Sequence, residues 1–137
     1  MNRIYESVTQ SPAWSRALLI INFDEWGGFF DHVPPPLAPI PTADRAAGNV
    51  DGRLGFRTPT LLVSSLARRA HLSHKQYDHT SILRLIEWRW GLAPLTVRDA
   101  TANNLARELA FNAGAAPGER RLGGAGRSCP PVRMGGL

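Results

Sequence analysis

The sequence predicts an α/β fold in which short, buried, parallel strands are flanked by helices, and three observations carry that prediction. An unbroken apolar run, Leu18-Leu19-Ile20-Ile21, continued by Phe23, is too short for a helix and has the composition of a strand covered on both faces. A second short run, Pro59-Thr60-Leu61-Leu62-Val63-Ser64-Ser65, opens on a proline, as strand starts allow. Helical patterns before the first run and after the second complete the order helix, strand, long loop, strand, helix, helix, and two apolar strands that both end in polar residues fit neighbouring parallel strands.

Each element has its own signal. Ile4, Tyr5 and Val8 recur at helical spacing, and Ser11-Pro12 closes that segment. Between Pro34 and Gly55 the chain holds Pro34, Pro35, Pro36, Pro39 and Pro41, then Gly48 and Gly52, a density that no regular element tolerates. A long loop is predicted there, and long ordered loops tend to be functional. Residues 67 to 76, with Arg68, Arg69, His71, His74 and Lys75, read as a basic loop. Asp78 then opens the clearest helix, with Ile82, Leu85, Ile86 and Arg89 spaced to give an inward stripe; Gly91 stops it and Pro94 prevents its return. A final helix is predicted from about Ala100 to Phe111, capped by Asp99 and buried through Ala102, Leu105, Ala106 and Leu109.

At 137 residues the chain has room for one ordinary domain, and its apolar content of 43% is that of a globular protein. No apolar run is long enough to span a bilayer. Beyond Asn112 four arginines stand against Glu119, so +3 of the formal charge of +5 belongs to a Gly- and Pro-rich tail, residues 112–137, for which disorder is predicted. The tail has no aromatic platform for bases, which argues against nucleic acid as the partner of a small basic binding protein. Cys129 is the only cysteine, so no intrachain disulfide can form and the redox compartment is left open. The first residues contain no apolar segment of the secretory kind.

Chemistry concentrates directly after the first strand. Asp24 and Glu25 are adjacent carboxylates, and because neighbouring side chains of an extended segment point opposite ways, they converge on one ion only if the backbone turns. Gly27-Gly28 supplies that turn, and two carboxylates favour a hard divalent cation whose identity is left open. The competing reading is an exposed loop pair that binds nothing. His32 follows Asp31 and suits a metal ligand, a donor to a phosphoryl oxygen, or a loop cap. His71, His74 and His79 form a second group compatible with a zinc trio, at a spacing of little specificity. His79 is set apart by its place on the first turn of the helix opened by Asp78, where the dipole disfavours the imidazolium and backbone N–H groups attract anions. Arg57, Arg68 and Arg69 have the charge to neutralise an anionic substrate. No serine or threonine lies in a nucleophile elbow, and no Gly-rich phosphate loop is present.

Three stretches in this order, Phe23-Asp-Glu-Trp-Gly-Gly-Phe-Phe-Asp-His-Val-Pro-Pro-Pro36, Arg57-Thr-Pro-Thr-Leu-Leu-Val-Ser64 and Ser73-His-Lys-Gln-Tyr-Asp-His-Thr-Ser81, resemble the bacterial phosphoesterase family of phospholipases C and related acid phosphatases. The resemblance covers residues 1–111. It implies a partial alkaline-phosphatase-like fold, a metal-dependent hydrolase acting on a phosphate ester or phospholipid, and a divalent metal ion held by Asp24 and Glu25, with His32 and His79 as catalytic histidines near it. Family members are several times longer, and their first half carries an acidic-Asn metal motif, the Ser or Thr nucleophile and an export signal. None of these is in this sequence, so the resemblance implies a C-terminal part that lacks its nucleophile and needs a missing N-terminal half, or else an inactive truncated product.

Overall fold

The computed structural model describes residues 1–111; the predicted disordered tail lies outside the described residues. Helix α1 spans Asn2–Thr9, a 3-10 turn covers Trp14–Arg16, and strand β1 runs Leu18–Asn22. Helix α2 (Thr42–Ala46) interrupts the long loop, strand β2 is Thr60–Ser64, and helix α3 is Thr80–Trp90. Helix α4 (Val97–Thr101) and a 3-10 turn at Leu105–Glu108 end the described chain.

The two strands lie where the apolar runs predict them, but they are antiparallel, not parallel, with Leu18 opposite Ser64 and Asn22 opposite Thr60. The reason lies in the loop that joins them. Its two limbs return along each other: Asp31 meets Arg57, Leu54 N–H donates to the Pro36 carbonyl, Ala38 N–H donates to the Gly52 carbonyl, and Leu37 forms a bridge with Arg53. Trp26 packs edge-on against Phe56, ring centres 5.3 Å apart. Residues 18–64 therefore form one long irregular hairpin, and a hairpin returns its second strand antiparallel to its first. The prolines between Pro34 and Pro41, with Gly48 and Gly52 further on, prevent regular pairing across the limbs without preventing the return.

Neither strand is buried, against the expectation from their composition: β1 is half-buried throughout and β2 is exposed at Thr60 and Leu61. Among the described residues the sheet has two strands only, so no third strand flanks either edge. The buried apolar side chains, Leu85 and Leu105, lie instead where α3 meets α4 and the last 3-10 turn. Helix α1 has the predicted span but buries none of its residues.

Helix α3 starts one residue later than predicted, with His79 at the N-cap position and not on the first turn. Asp78 Oδ1 accepts from Ser81 N–H at 3.0 Å and from the Thr80 hydroxyl at 2.7 Å, so the Asp78 side chain caps the helix and His79 is the last residue before its first turn. Gly91, at φ +67°, ends it in the left-handed conformation that glycine adopts without strain. The inward stripe is rotated from the predicted one: Ser81 and Leu85 are buried while Ile86 and Arg89 are exposed.

The last predicted helix is two short pieces. Thr96, not Asp99, is the N-cap; Asp99 occupies the third helical position and closes a capping box by accepting from Thr96 N–H at 2.8 Å. Ala102 leaves the helical region, and the Asn104 side chain takes the Ala106 N–H at 2.8 Å, an alternative to helical bonding that asparagine offers.

Candidate functional site

Strand β1 ends at Asn22 and delivers Phe23, Asp24 and Glu25 to the surface. The turn expected of the glycine pair is present, with Gly27 at φ +71° and Gly28 at φ +79°. Both carboxylates are exposed, and among the described residues neither is engaged by a hydrogen-bond donor or a cation. Their oxygens are open to a hard cation, yet among the described residues no group of three or more His, Cys, Asp or Glu side chains converges to hold one. The described residues offer two carboxylate donors here and no complete cage.

His79 comes to the same strand end. Its Nε2 lies 3.1 Å from the Phe23 carbonyl, the residue immediately before Asp24. A carbonyl oxygen only accepts, so Nε2 carries the proton in this bond and Nδ1 is left as the ring's free position. Two motifs more than fifty residues apart are thereby joined at one backbone atom. A histidine held through one ring nitrogen by a carbonyl presents the other nitrogen in a fixed direction, as histidines at metal and phosphate sites do.

His32 is not drawn into this contact. Its side chain is 84% exposed, with Nδ1 3.7 Å from Asp31 Oδ1. Asp31 is the more constrained neighbour: its carboxylate accepts Arg57 Nε at 2.7 Å and Nη2 at 2.6 Å, and also the backbone N–H groups of Val33 and Arg57. The bidentate Arg57 bond comes first among the causes that hold this carboxyl well below the usual carboxylate range. Arg57, a sequence candidate for substrate charge, is therefore committed to clipping the two limbs of the hairpin together. Beside that clip an open groove of about 360 Å³ is lined by Trp26, Phe29, Phe30, Asp31, Arg57, Thr58 and Pro59.

The zinc trio is not formed. His71 Nε2 is 3.0 Å from Glu108 Oε2, His79 is on Phe23, and His74 is exposed. Glu108, which falls within the predicted final helix but outside its buried stripe and outside the sequence candidates, is the organiser of the basic loop. Its side chain is only 7% exposed, and besides His71 it accepts the hydroxyls of Ser73 at 2.9 Å and Tyr77 at 2.5 Å, with Lys75 Nζ 3.9 Å away. Burial would raise this carboxyl, but the bonds from Tyr77, Ser73 and His71 outweigh it and hold it at about 2. The sequence signal pointing to such a residue is the run of basic side chains between 67 and 76, two of which, His71 and Lys75, come to 3.0 and 3.9 Å from Glu108.

With this geometry in hand, comparison with known proteins is decisive. The family model described as the Phosphoesterase family matches residues 1–93. The chain belongs to the Phosphoesterase family. Among its relatives, Phospholipase C B of Mycobacterium tuberculosis (strain H37Rv) is 39% identical over 129 residues, covering 82% of this chain and 25% of the relative. Non-specific phospholipase C6 of Arabidopsis thaliana is 36% identical over 117 residues, covering 74% of this chain and 22% of that protein. The family resemblance of the three motifs is thus borne out, and it extends to a plant as well as a bacterium. The chain spans about a quarter of the length of these curated relatives. Among the described residues no helix is long and apolar enough to cross a membrane.

Proposed function

We propose that this chain supplies one wall of the active site of a metal-dependent phosphoesterase of the phospholipase C type, acting on a phosphate ester or phospholipid. Residues 1–111 would be the C-terminal part of an alkaline-phosphatase-like α/β body whose further strands cover β1 and β2. The observation that carries the reading is the bond from His79 Nε2 to the Phe23 carbonyl, which sets an imidazole one residue from the Asp24-Glu25 pair. Membership of the Phosphoesterase family and the phospholipase C names of the relatives support the ester class.

Asp24 and Glu25 would hold a divalent cation through their open carboxylate oxygens, with the remaining donors supplied from outside this chain. When bound, the cation would neutralise phosphoryl oxygens and activate the attacking group. His79 donates Nε2–H to the Phe23 carbonyl and leaves Nδ1 as its free position. As the attacking group bonds to phosphorus and the P–O bond to the leaving alcohol breaks, a proton held at His79 Nδ1 would pass to the departing oxygen, which is general acid catalysis. His32, exposed on the next loop, is suited to approach an anionic substrate from the solvent side.

The test is Mn2+ binding by the full chain, followed by electron paramagnetic resonance. Asp24→Asn should weaken it by about tenfold or more with far-ultraviolet circular dichroism unchanged, since removing one of two carboxylate donors removes half the local charge. Equal affinity in wild type and variant would overturn the reading.

A second reading, that the chain alone is inactive, is favoured by the unburied two-stranded sheet. Each strand leaves one edge without a partner among the described residues, and such edges recruit other strands. A monomer that unfolds cooperatively and hydrolyses a chromogenic phosphodiester only with metal would exclude it.

A further inference from the structure

The loop from Ala67 to Asp78 carries five basic side chains and has no regular structure, yet it must end with His79 at the tip of β1. Three of its residues, His71, Ser73 and Tyr77, donate to or face the single buried carboxylate of Glu108. The segment bearing Glu108 is itself fixed to the end of β2, because Ala110 N–H donates to the Leu66 carbonyl at 2.8 Å and Ala67 bridges Leu109. Glu108 therefore ties the end of the hairpin to the start of α3. A further bond, from Asn103 Nδ2 to the Gln76 carbonyl at 2.9 Å, fixes the residue before Tyr77. Tyr77 is followed by Asp78, whose side chain and backbone bond Ser81, and then by His79.

We infer that Glu108 is a positioning residue for His79: by gathering Tyr77, Ser73 and His71 onto one buried carboxylate, it sets the start of α3 so that the His79 imidazole reaches the Phe23 carbonyl. Glu108 lies beyond residues 1–93, the part matched by the family model. The inference deepens the proposed function, in that His79 matters to catalysis only if that reading holds, but the geometry it describes exists in the chain by itself. Glutamine at this position keeps the size and an oxygen able to accept from Ser73 and Tyr77, but it removes the charge and puts a donating NH2 where Oε2 meets His71. Alanine removes every bond.

The experiment is long-range 1H–15N correlation of the histidine rings in the full chain. In the wild type, the His79 nitrogens should resolve as one protonated and one unprotonated position, the signature of a single tautomer bonded through Nε2. In Glu108→Gln and Glu108→Ala they should move toward a common averaged shift, and amide exchange of residues 78–82 should quicken by about tenfold or more. If neither variant folds, Tyr77→Phe, which withdraws one donor and leaves the carboxylate two others, should give the same change at smaller amplitude. Leu105→Ala separates positioning from stability, because it empties a buried apolar position in the same 3-10 turn while keeping the Glu108 carboxylate, and it should leave the His79 pattern as in the wild type. An unmoved His79 in the Glu108 variants, or an equal movement in Leu105→Ala, overturns the inference. Neither readout needs metal or turnover, so loss of Mn2+ binding in Asp24→Asn with an unmoved His79 would sink this inference alone. Unchanged Mn2+ binding with a released His79 would sink the phosphoesterase site alone.

Discussion

Replacing Glu108 with glutamine should change how the stability of the protein depends on acid more than it changes the fold. The Glu108 carboxyl is held at about 2 against the pull of burial by the Tyr77, Ser73 and His71 bonds, and then by the Lys75 charge. In the unfolded chain it returns to about 4.3, and each pH unit of difference corresponds to about 1.4 kcal/mol. Because the folded value is the lower one, the contribution is fully present above the unfolded value and is lost as pH falls through the folded value. It amounts to about 3 kcal/mol near pH 7, falls to about half of that near pH 3, and vanishes below about pH 2. Asp31 and Asp99 are also held below the ordinary range, but both remain in the variant and cancel in the comparison. Tyr77 gives an independent check: burial first, then the Glu108 bond and charge, raises its hydroxyl to about 12, so its alkaline titration should move back toward the ordinary range of about 10 in Glu108→Gln. The assay is urea unfolding of wild type and variant at several pH values between about 7 and about 3, read as the difference in free energy. A gap that narrows by roughly 1.5 kcal/mol over that interval supports the reasoning. A gap independent of pH would refute it, since the carboxylate would then be no better hydrogen-bonded in the fold than in water.

Two further substitutions test the hairpin and the capping box. Gly52 stands at φ +66°, and an added Cβ would lie 2.7 Å from the Ala38 carbonyl oxygen, whereas Gly48, at φ +99°, faces open space. Gly52→Ala should therefore lower the urea midpoint by clearly more than Gly48→Ala, which bears only the backbone strain of about 1–2 kcal/mol; equal costs would mean the limbs are not in contact. Thr96→Ala removes the hydroxyl that accepts Arg98 N–H at 3.1 Å and should cost about 1 kcal/mol by thermal unfolding, with no cost expected if Asp99 were the cap instead.

Local rules carried the reading of the elements a long way. The apolar runs at Leu18–Asn22 and Thr60–Ser64 are strands, Asp78 and Gly91 bound a helix, and Gly27-Gly28 make the turn after the acidic pair. In each case the deciding interaction is between residues a few positions apart. Strand direction was misjudged because it depends on how a loop of nearly forty residues closes. Here Asp31 and Arg57, with Trp26 and Phe56, fold that loop back on itself. The final helix was misjudged because Asn104 had a local hydrogen bond that competes with helical pairing, and a stripe of alanine and leucine does not reveal it.

The site divides the same way. By itself the sequence determined which residues are candidates: Asp24 and Glu25 after the strand, His79 at a helix start, and the three ordered motifs that mark the Phosphoesterase family. Residue type and short spacing set chemical capability, and both are written in the chain. Only the tertiary structure decided that His79 meets Phe23, that Arg57 is spent on Asp31, that the histidines are not a zinc trio, and that Glu108 governs the basic loop. These are pairings across 26 to 56 positions, where the choice of partner depends on the path of the intervening chain, and no periodicity encodes that path.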